Sequence, residues 1–375
     1  MDSSKIKPFS LLIKPVSADC NLACPYCFYR RVEKIYPGRH LMSDEVLEAV
    51  IKQFLALRLP QSIFSWQGGE PTLAGLDFYR KVIRLEEKFG RGGQVVGNAL
   101  QTNAILIDRE WAHFLAQYHF LVGVSLDGPQ EIHDKFRRSA GGQGSYQRVM
   151  AAISHLKRDN VAFNILTLVT SANEHRAREV YRFLREKGFD FLQFIPCVEK
   201  DPTTGGPAPF SVTPQGYGEF LCELFDEWVK DGYPCVSIRL FDSLLEYYLS
   251  GRMPLCVLGP SCEGYVLIEA NGDVYPCDFF VEKKWRLGNI LEEDLLGIFN
   301  SPRHQGFSRM KAAGLTECEG CEWLSMCYGG CLKDRERCDE ALKVKSPLCP
   351  AYRKFFQHSQ EFFESIAKQH RRSAI

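Results

Sequence analysis

The sequence CNLACPYC at residues 20–27 places three cysteines, Cys20, Cys24 and Cys27, in a C-x3-C-x2-C run. An apolar segment, FSLLIKP at residues 9–15, comes directly before it. Thiolates are the usual ligands of iron–sulfur clusters, whereas a structural zinc site is closed by four protein ligands. Because no fourth cysteine lies nearby, the run predicts a [4Fe–4S] cube with one open iron that can bind a small molecule. The alternatives are a zinc knuckle or three unrelated buried cysteines.

The chain has 375 residues, a formal net charge of zero and 45% hydrophobic residues, enough for a substantial core in one large domain or two to three smaller ones. The balanced charge indicates neither a nucleic acid nor an anionic membrane surface as a partner. The beginning, MDSSKIKPFSLL, lacks the long apolar core of a signal peptide, and no stretch approaches the roughly 18 apolar residues of a membrane span. We therefore expect a cytoplasmic protein without membrane segments, and a monomer by default.

The fifteen cysteines are unevenly distributed: three at 20–27, none between 28 and 196, and nine from Cys256 onward. In a reducing compartment, clustered cysteines bind metal or act in catalysis more often than they form a disulfide framework. The distribution therefore predicts two separate cysteine-rich regions with metal chemistry.

Six short apolar segments alternate with amphipathic stretches along the first half of the chain. The segments predicted as strands are 9–14, 63–67, 95–102, 121–126, 163–169 and 191–196. Ser43 is the expected N-cap of the first helix, and the stretches 145–157 and 175–187 have the same amphipathic character. Six such units predict an α/β fold with a parallel sheet, closed only into a partial (β/α)6 barrel because eight units are needed for a full one.

Polar sequences fall at the C-terminal ends of these strands, where such folds carry their chemistry. Gln67-Gly68-Gly69-Glu70-Pro71 follows the second strand, and Gln101 and Ser125 end the third and fourth. Glycines after a strand let backbone approach a ligand closely, although a plain turn is the alternative. Asp127, in a following Asp-Gly-Pro sequence, is assigned to a turn.

The C-terminal third contains eight more candidate ligands. Cys262, Gly272 and Cys277 have the spacing C-x9-G-x4-C; the other candidates are Cys256, Cys318, Cys321, Cys327, Cys331 and Cys349. Eight thiolates suffice for two further four-iron clusters, but the spacing leaves their pairing open, and two zinc sites are the alternative. Residues 264–276, GYVLIEANGDVYP, predict a β-hairpin with Asn271-Gly272 as its turn. The cysteines predicted to be unligated are Cys197, Cys222, Cys235 and Cys338.

Together, the three-cysteine run, the GGEP segment and the C-terminal cysteine series resemble the radical S-adenosylmethionine (SAM) superfamily with its SPASM extension. Longer stretches resemble the anaerobic sulfatase-maturating enzymes: SLLIKP, CFY at 27–29, QGGEPTLAGL at 67–76, GVSLDGPQEIH at 123–133, FLQFIPC at 191–197 and YPCDFFVEKKWRLGNI at 275–290. The resemblance implies a radical SAM partial barrel over residues 1–235 and a SPASM domain over residues 236–375.

The resemblance also implies three [4Fe–4S] clusters and SAM as cofactors. The open iron would chelate SAM, with Tyr26 against the adenine. Other implied SAM contacts come from Gly68, Gly69, Glu70, Gln101 and Ser125. Auxiliary cluster I would be held by Cys256, Cys262, Cys277 and Cys331, and auxiliary cluster II by Cys318, Cys321, Cys327 and Cys349.

The activity implied by the resemblance is oxidation of a cysteine or serine in a nascent or unfolded sulfatase to Cα-formylglycine, without oxygen. Asp278 would be the base that takes the substrate proton, with capping as its alternative role, and Tyr29 and Gln67 would bind the substrate peptide. An external one-electron donor such as flavodoxin or ferredoxin would reduce the enzyme. Competing hypotheses are maturation of another peptide, such as one with thioether crosslinks, and a non-catalytic metal-binding protein.

Overall fold

The computed structural model describes residues 7–232, 235–313, 315–335 and 345–373. The chain forms two compact units, each assembled from segments distant in sequence. The first unit comprises Met1–Ser125, Arg137–Phe163 and Cys262–Ser308; the second comprises Leu126–Phe136, Asn164–Ser261 and Arg309–Ile375. The predicted boundary between residues 235 and 236 stays a prediction, and Cys338 lies outside the described residues.

The strands, in chain order, are β1 Ser10–Ile13, β2 Gln61–Trp66, β3 Val95–Thr102, β4 Leu121–Ser125, β5 Phe163–Val169, β6 Phe191–Pro196, β7 Ser237–Ile238, β8 Tyr265–Ile268, β9 Asp273–Tyr275 and β10 Gly288–Asn289. The α-helices are α1 Asp44–Ala56, α2 Leu76–Phe89, α3 Arg109–Gln117, α4 Gln130–Phe136, α5 Tyr146–Arg158, α6 Ala177–Glu186, α7 Pro214–Lys230, α8 Arg239–Ser250, α9 Leu295–Phe299, α10 Pro302–Met310, α11 Leu324–Cys327 and α12 Cys349–Ser373. Among the helices that the structure describes, none has the length and apolar character needed to cross a membrane.

Parallel pairing dominates both units, which confirms the predicted α/β class. In the first unit β1, β2, β3 and β4 pair in that order, and in the second unit β5, β6 and β7 do the same. Three of the six predicted strands have the predicted bounds, and the other three differ by one or two residues at their ends. The Ser43 N-cap is confirmed, since its Oγ accepts a hydrogen bond from Val46 N at 3.3 Å. Buried apolar strands joined by amphipathic helices account for this architecture.

The predicted hairpin is confirmed, with β8 and β9 antiparallel and Gly272 at φ +88° in the turn, a conformation that favours glycine. An unexpected pairing accompanies it. Strand β8 also pairs in parallel with β1, in a register that joins Ile13 to Ile268. The residues after β8 and β9 are thereby placed beside those that follow β1. The buried side chains of Tyr29, Val32, Leu267, Tyr275 and Val281, which come from these two parts of the chain, pack into one cluster.

The second unit has an aromatic core on helices α7, α8 and α12. Phe225 lies at its centre, with ring centroids of Trp228 at 5.9 Å, Phe241 at 5.5 Å and Phe355 at 6.0 Å. Aromatic pairs at such separations add to the free energy gained by burial. This core holds α12, whose first residue is Cys349.

Candidate functional site

The glycine-rich segment after β2 lies directly against the backbone that leads into Cys20. Gly69 N donates to Ser17 O at 2.8 Å, and Glu70 N donates to Asp19 O at 2.7 Å. A Cβ on Gly69 would lie 2.0 Å from Asp19 O, and Gly68 has φ +125°. Both glycines are therefore required for this close approach, which fixes the start of the cysteine run.

The buried carboxylate of Glu70 connects the ends of β2 and β3. Its Oε1 accepts from Thr72 N at 3.0 Å, Thr72 Oγ1 at 2.6 Å and Thr102 Oγ1 at 2.7 Å, and its Oε2 accepts from Asn103 N at 2.7 Å. Burial raises the pKa of this carboxyl, and the hydrogen bonds oppose that shift. Both oxygens of the Glu70 carboxylate thus accept hydrogen bonds from the protein itself. The predicted contact of Glu70 with SAM stays a prediction.

The segment 20–27 that carries the three cysteines, called the three-cysteine turn, has one tight turn from Cys24 to Cys27, in which Cys27 N donates to Cys24 O at 3.2 Å, and Cys20 lies before it. Cys24 is buried, Cys27 is half-buried and Cys20 is exposed as a residue. The Cys20 thiol is nevertheless shielded, and this burial raises its pKa to about 12, with charge on Glu70, Cys27 and Cys24 adding to the effect. Asn103 Nδ2 lies 3.7 Å from Cys20 Sγ, and Leu22 N donates to the same sulfur at 3.4 Å.

This donor set fits a four-iron cluster. The thiols lie close enough to influence one another's ionisation, and each cysteine of such a cluster binds a different iron. Among the residues that the structure describes, no three His, Cys, Asp or Glu side chains are grouped to hold one metal ion. Because the three thiols must lose protons to bind iron, cluster assembly will release protons.

The remaining predicted SAM contacts lie at the ends of β3 and β4 and on the run itself. Gln101 Nε2 donates to Ser125 Oγ at 3.3 Å. Gly123 makes room for this contact, because a Cβ there would lie 2.1 Å from Gln101 Oε1. Tyr26 is buried, with the Arg137 guanidinium 5.7 Å from its ring centroid. These positions leave the predicted SAM contacts untested.

Asp278, predicted as the base, is joined in one hydrogen-bonded network to Tyr29 and Gln67, whose predicted contact with the substrate peptide stays a prediction. Gln67 Nε2 donates to Tyr29 Oη at 2.8 Å, and Tyr29 Oη donates to Asp278 Oδ2 at 3.3 Å. Asp278 and Tyr29 are buried, at 6% and 7% exposure, so the carboxylate is held in a fixed orientation away from bulk water. Burial, followed by the charge of Asp278, raises the pKa of Tyr29 well above its ordinary value, which keeps the phenol a hydrogen-bond donor.

Tyr265 is a member of this network that the sequence pattern did not single out. Its Oη donates to Asp278 Oδ1 at 3.1 Å and lies 3.1 Å from Cys277 Sγ. Tyr265 is the first residue of β8, and Asp278 begins a short 3₁₀ turn just past β9, so the hairpin itself brings them together. An aromatic residue at a strand start looks like an ordinary core residue, although the predicted hairpin already brings Tyr265 close to Asp278.

A cavity in the second unit is lined by four of the C-terminal cysteines, Cys318, Cys321, Cys327 and Cys349. These are the four that the resemblance assigns to auxiliary cluster II. The walls also include Trp323, Leu324, Tyr352 and Phe356, with two glycines, Ser346 and Arg353. Burial raises the pKa of the Cys327 thiol to about 11, with the other three thiols adding to the shift.

The loop beside this cavity is held by the buried guanidinium of Arg335. It donates to the carbonyl oxygens of Lys311 at 2.8 Å and Gly330 at 3.1 Å, and also to that of Tyr328. Gly329 and Gly330 both have positive φ, +70° and +78°. The chain is thereby fixed between Cys327 and Cys331.

The predicted ligands of auxiliary cluster I belong to different units. Cys262 and Cys277 lie in the first unit, and Cys256 and Cys331 in the second. Burial raises the pKa of the Cys331 thiol to about 12. The grouping of these four cysteines stays a prediction. None of the described cysteines forms a disulfide; Cys197 and Cys222 are buried and Cys235 is exposed.

Comparisons with known proteins identify the family of this chain. Residues 15–184 match the family model described as the radical SAM superfamily, and residues 260–322 match SPASM, an iron–sulfur cluster-binding domain. A cysteine-type anaerobic sulfatase-maturating enzyme of Clostridium perfringens is 40% identical over 94% of this chain and 96% of its own length. A serine-type enzyme of Bacteroides thetaiotaomicron is 36% identical over 97% of this chain and 92% of its own. The solved structure of native anSMEcpe with bound AdoMet and Cp18Cys peptide has a TM-score of 0.90 at 38% identity, covering 97% of this chain and 99% of that one.

Proposed function

This chain belongs to the anaerobic sulfatase-maturating enzymes, and we propose that it oxidises a cysteine or serine side chain of an unfolded sulfatase to Cα-formylglycine. The observation that carries the proposal is the buried network of Asp278, Tyr29 and Gln67, in the same unit as the three-cysteine run. Similarity at 36–40% identity over nearly the whole chain supports it.

Cys20, Cys24 and Cys27 would hold the SAM-binding [4Fe–4S] cluster, and the C-terminal cysteines would hold two auxiliary clusters. When bound, the clusters and SAM supply the radical that removes a hydrogen atom from the substrate Cβ and the acceptor for the second electron. The backbone of Gly68 and Gly69, with Gln101, Ser125 and Tyr26, would orient SAM. Their positions at strand ends and on the cysteine turn support this assignment.

Asp278 would take the proton from the substrate thiol or hydroxyl. Removal of a hydrogen atom, a proton and an electron converts serine to the aldehyde, and converts cysteine to a thioaldehyde that water hydrolyses to the same aldehyde. The phenols of Tyr29 and Tyr265 each donate to one oxygen of Asp278, so they hold the carboxylate in place. A positioned carboxylate is an effective general base.

We extend the proposal to partners and location. An external one-electron donor, such as flavodoxin or ferredoxin, would reduce the protein, which would act as a monomer in the cytoplasm. The described cysteines, all free of disulfides, fit a reducing compartment.

The test is an anaerobic assay of the reconstituted, reduced protein with SAM and two peptides that carry the sulfatase motif, one with cysteine and one with serine at the target position. We expect about twelve irons per chain, from three four-iron clusters, together with 5′-deoxyadenosine and the peptide aldehyde. The mass of each peptide shows which target residue is accepted. SAM cleavage with both peptides unchanged would contradict the proposal and indicate maturation of another peptide. Zinc without deoxyadenosine would indicate a metal-binding protein without this activity.

A further inference from the structure

A buried ion pair lies next to the Tyr29–Asp278 network, and the proposed reaction does not use it. Lys14 Nζ and Glu269 Oε1 are 2.8 Å apart, and their side chains are 0% and 1% exposed. Lys14 follows β1 and Glu269 follows β8, so the pair bridges the C-terminal ends of two paired parallel strands. The pair therefore lies at the C-terminal ends of the strands, where the predicted functional residues also lie.

Burying two charges costs several kcal/mol per ion in effective desolvation, and apolar replacements of such pairs are often neutral or stabilising. Glu269 Oε2 is buried and has no hydrogen-bond partner among the described residues, so the pair is only partly satisfied. A buried ion pair in which one oxygen lacks a hydrogen bond adds little to the free energy of unfolding. Its presence therefore calls for a reason other than fold stability.

The Lys14 ammonium lies 4.6 Å from the centroid of the Tyr29 ring. A cation at this distance over an aromatic face is attracted to it, more strongly when both are removed from water. The Lys14 stem is also fully buried and passes close to the backbone of Gly68, where an added Cβ would lie 3.1 Å from Lys14 Cγ. Lys14 thus has little freedom, and it holds one face of Tyr29 while Gln67 and Asp278 hold its hydroxyl.

We propose that Lys14 is a positioning residue for the oxidation: its ammonium, held by Glu269, fixes the Tyr29 ring so that the phenol stays hydrogen-bonded to Asp278. The inference rests on the proposed function, in which Asp278 is the base. In this scheme Lys14 contacts neither the Asp278 carboxylate nor the substrate, and it acts only through Tyr29. Loss of the ammonium would leave radical formation intact and lower the fraction of radicals that lead to product.

The test replaces the pair with apolar residues, Lys14→Met with Glu269→Leu, so that no buried charge is left alone. The matched control is Lys88→Met with Glu48→Leu, which removes an exposed lysine–glutamate pair with a 3.0 Å contact on α1 and α2. A third variant, Lys14→Arg, keeps the charge. Iron content, thermal unfolding, deoxyadenosine and peptide aldehyde are measured for each protein.

We expect the Lys14/Glu269 variant to retain its iron and its SAM cleavage, while aldehyde formed per deoxyadenosine falls at least about tenfold, since misplacement of a catalytic group is costly. The Lys88/Glu48 control should match the parent, and Lys14→Arg should recover part of the ratio. An unchanged ratio in the Lys14/Glu269 variant would overturn the inference. Loss of iron and SAM cleavage in parallel with the aldehyde would also overturn it, because the pair would then be a structural connection.

Hydrogen exchange of the cluster-loaded protein separates this inference from the proposed function. If the parent itself forms no aldehyde, the proposed function fails, and exchange in the segment Phe28–Lys34 then decides the role of Lys14. Faster exchange confined to that segment in the Lys14/Glu269 variant supports the hold on Tyr29. Unchanged exchange there overturns it.

Discussion

The three-cysteine turn of the first unit and the four-cysteine cavity of the second unit put the same ligand type in contrasting surroundings. Around the turn, the neighbours of Cys20 are polar: Asn103, Leu22 N and the charge of Glu70. Around the cavity, Trp323, Tyr352 and Phe356 contribute aromatic walls. The first region has three thiols with polar strand ends nearby, whereas the second offers four thiols among mostly apolar and aromatic side chains, with Arg353 and Ser346 as the polar ones.

The number of thiol ligands and their surroundings together indicate which cluster binds a small molecule and which only transfers electrons. Three thiols leave one iron open to a substrate, and polar strand ends nearby can orient that substrate. Four thiols complete the ligation of a cluster, and apolar walls limit solvent access, which helps to set a reduction potential. Chemistry is therefore expected at the turn and electron transfer at the cavity.

The largest effect should come from breaking the three-cysteine turn. Cys24→Ala removes one of three ligands, and we expect SAM cleavage to fall on the order of a thousandfold or more, since the cofactor carries the chemistry. Deoxyadenosine is measured by chromatography after anaerobic reduction. Cys235→Ala, which removes an exposed cysteine without a predicted ligand role, should cleave SAM like the parent. Normal cleavage by Cys24→Ala would show that the turn is not the radical-forming site.

Asp278→Asn sharpens the comparison by separating radical formation from product formation within the first unit. The amide keeps the shape of the side chain but cannot take a proton, so aldehyde formation should fall about 10²–10⁴-fold. Deoxyadenosine release should continue. Both products are measured in the same reaction, and full aldehyde yield from this variant would exclude Asp278 as the base.

Breaking the cavity of the second unit should affect iron content more than SAM binding. Cys321→Ala should lower the iron by about four atoms per chain and also lower the unfolding temperature, because cluster binding contributes to folding. Cys222→Ala, at a buried cysteine outside the cavity, is the control and should keep its iron. Equal iron in the two variants would argue against a cluster in the cavity.

The smallest expected effect concerns the stability of the first unit, at the buried contact between Glu86 on α2 and Asn98 on β3. Asn98 Nδ2 donates to both carboxyl oxygens of Glu86, at 3.1 and 3.0 Å, and burial raises the pKa of Glu86 from 4.5 to about 7. The folded protein therefore holds this proton more tightly than the unfolded chain does, so stability falls as the pH rises from about 4.5 to about 7. Glu86→Gln should raise the free energy of unfolding above pH 7 by roughly 1–3 kcal/mol and give no gain at pH 4.

Thermal unfolding of Glu86→Gln and of the parent, followed at pH 4, 6 and 8 under the same anaerobic conditions, checks this prediction. A difference that does not change with pH would mean that the carboxyl is ionised at the same pH in the folded and unfolded states.

Local features of this chain could be predicted from the sequence. The six strands, the Ser43 cap and the Asn271-Gly272 turn depend on neighbouring residues, so propensity and pattern suffice. The cysteines, Asp278, Tyr29 and Gln67 were named from motif and resemblance. Their assembly into one network could not be predicted, because it depends on β8 joining β1 across about 250 residues of sequence. Lys14 and Glu269 were missed for the same reason. Tyr265 was missed although the predicted hairpin brings it to Asp278, because its local sequence is that of an ordinary core residue.

The parallel pairing of β1 with β8 also constrains when this protein can be completed. During synthesis, β1 leaves the ribosome first, but the edge that receives β8 has no partner until residue 268 has been made. At about 5–20 residues per second, that interval is on the order of tens of seconds, and an unpaired strand edge is a site for aggregation. The Asp278 site therefore forms only late in translation. Iron supplied before then would encounter a nascent chain that already contains the three-cysteine turn but not yet Asp278.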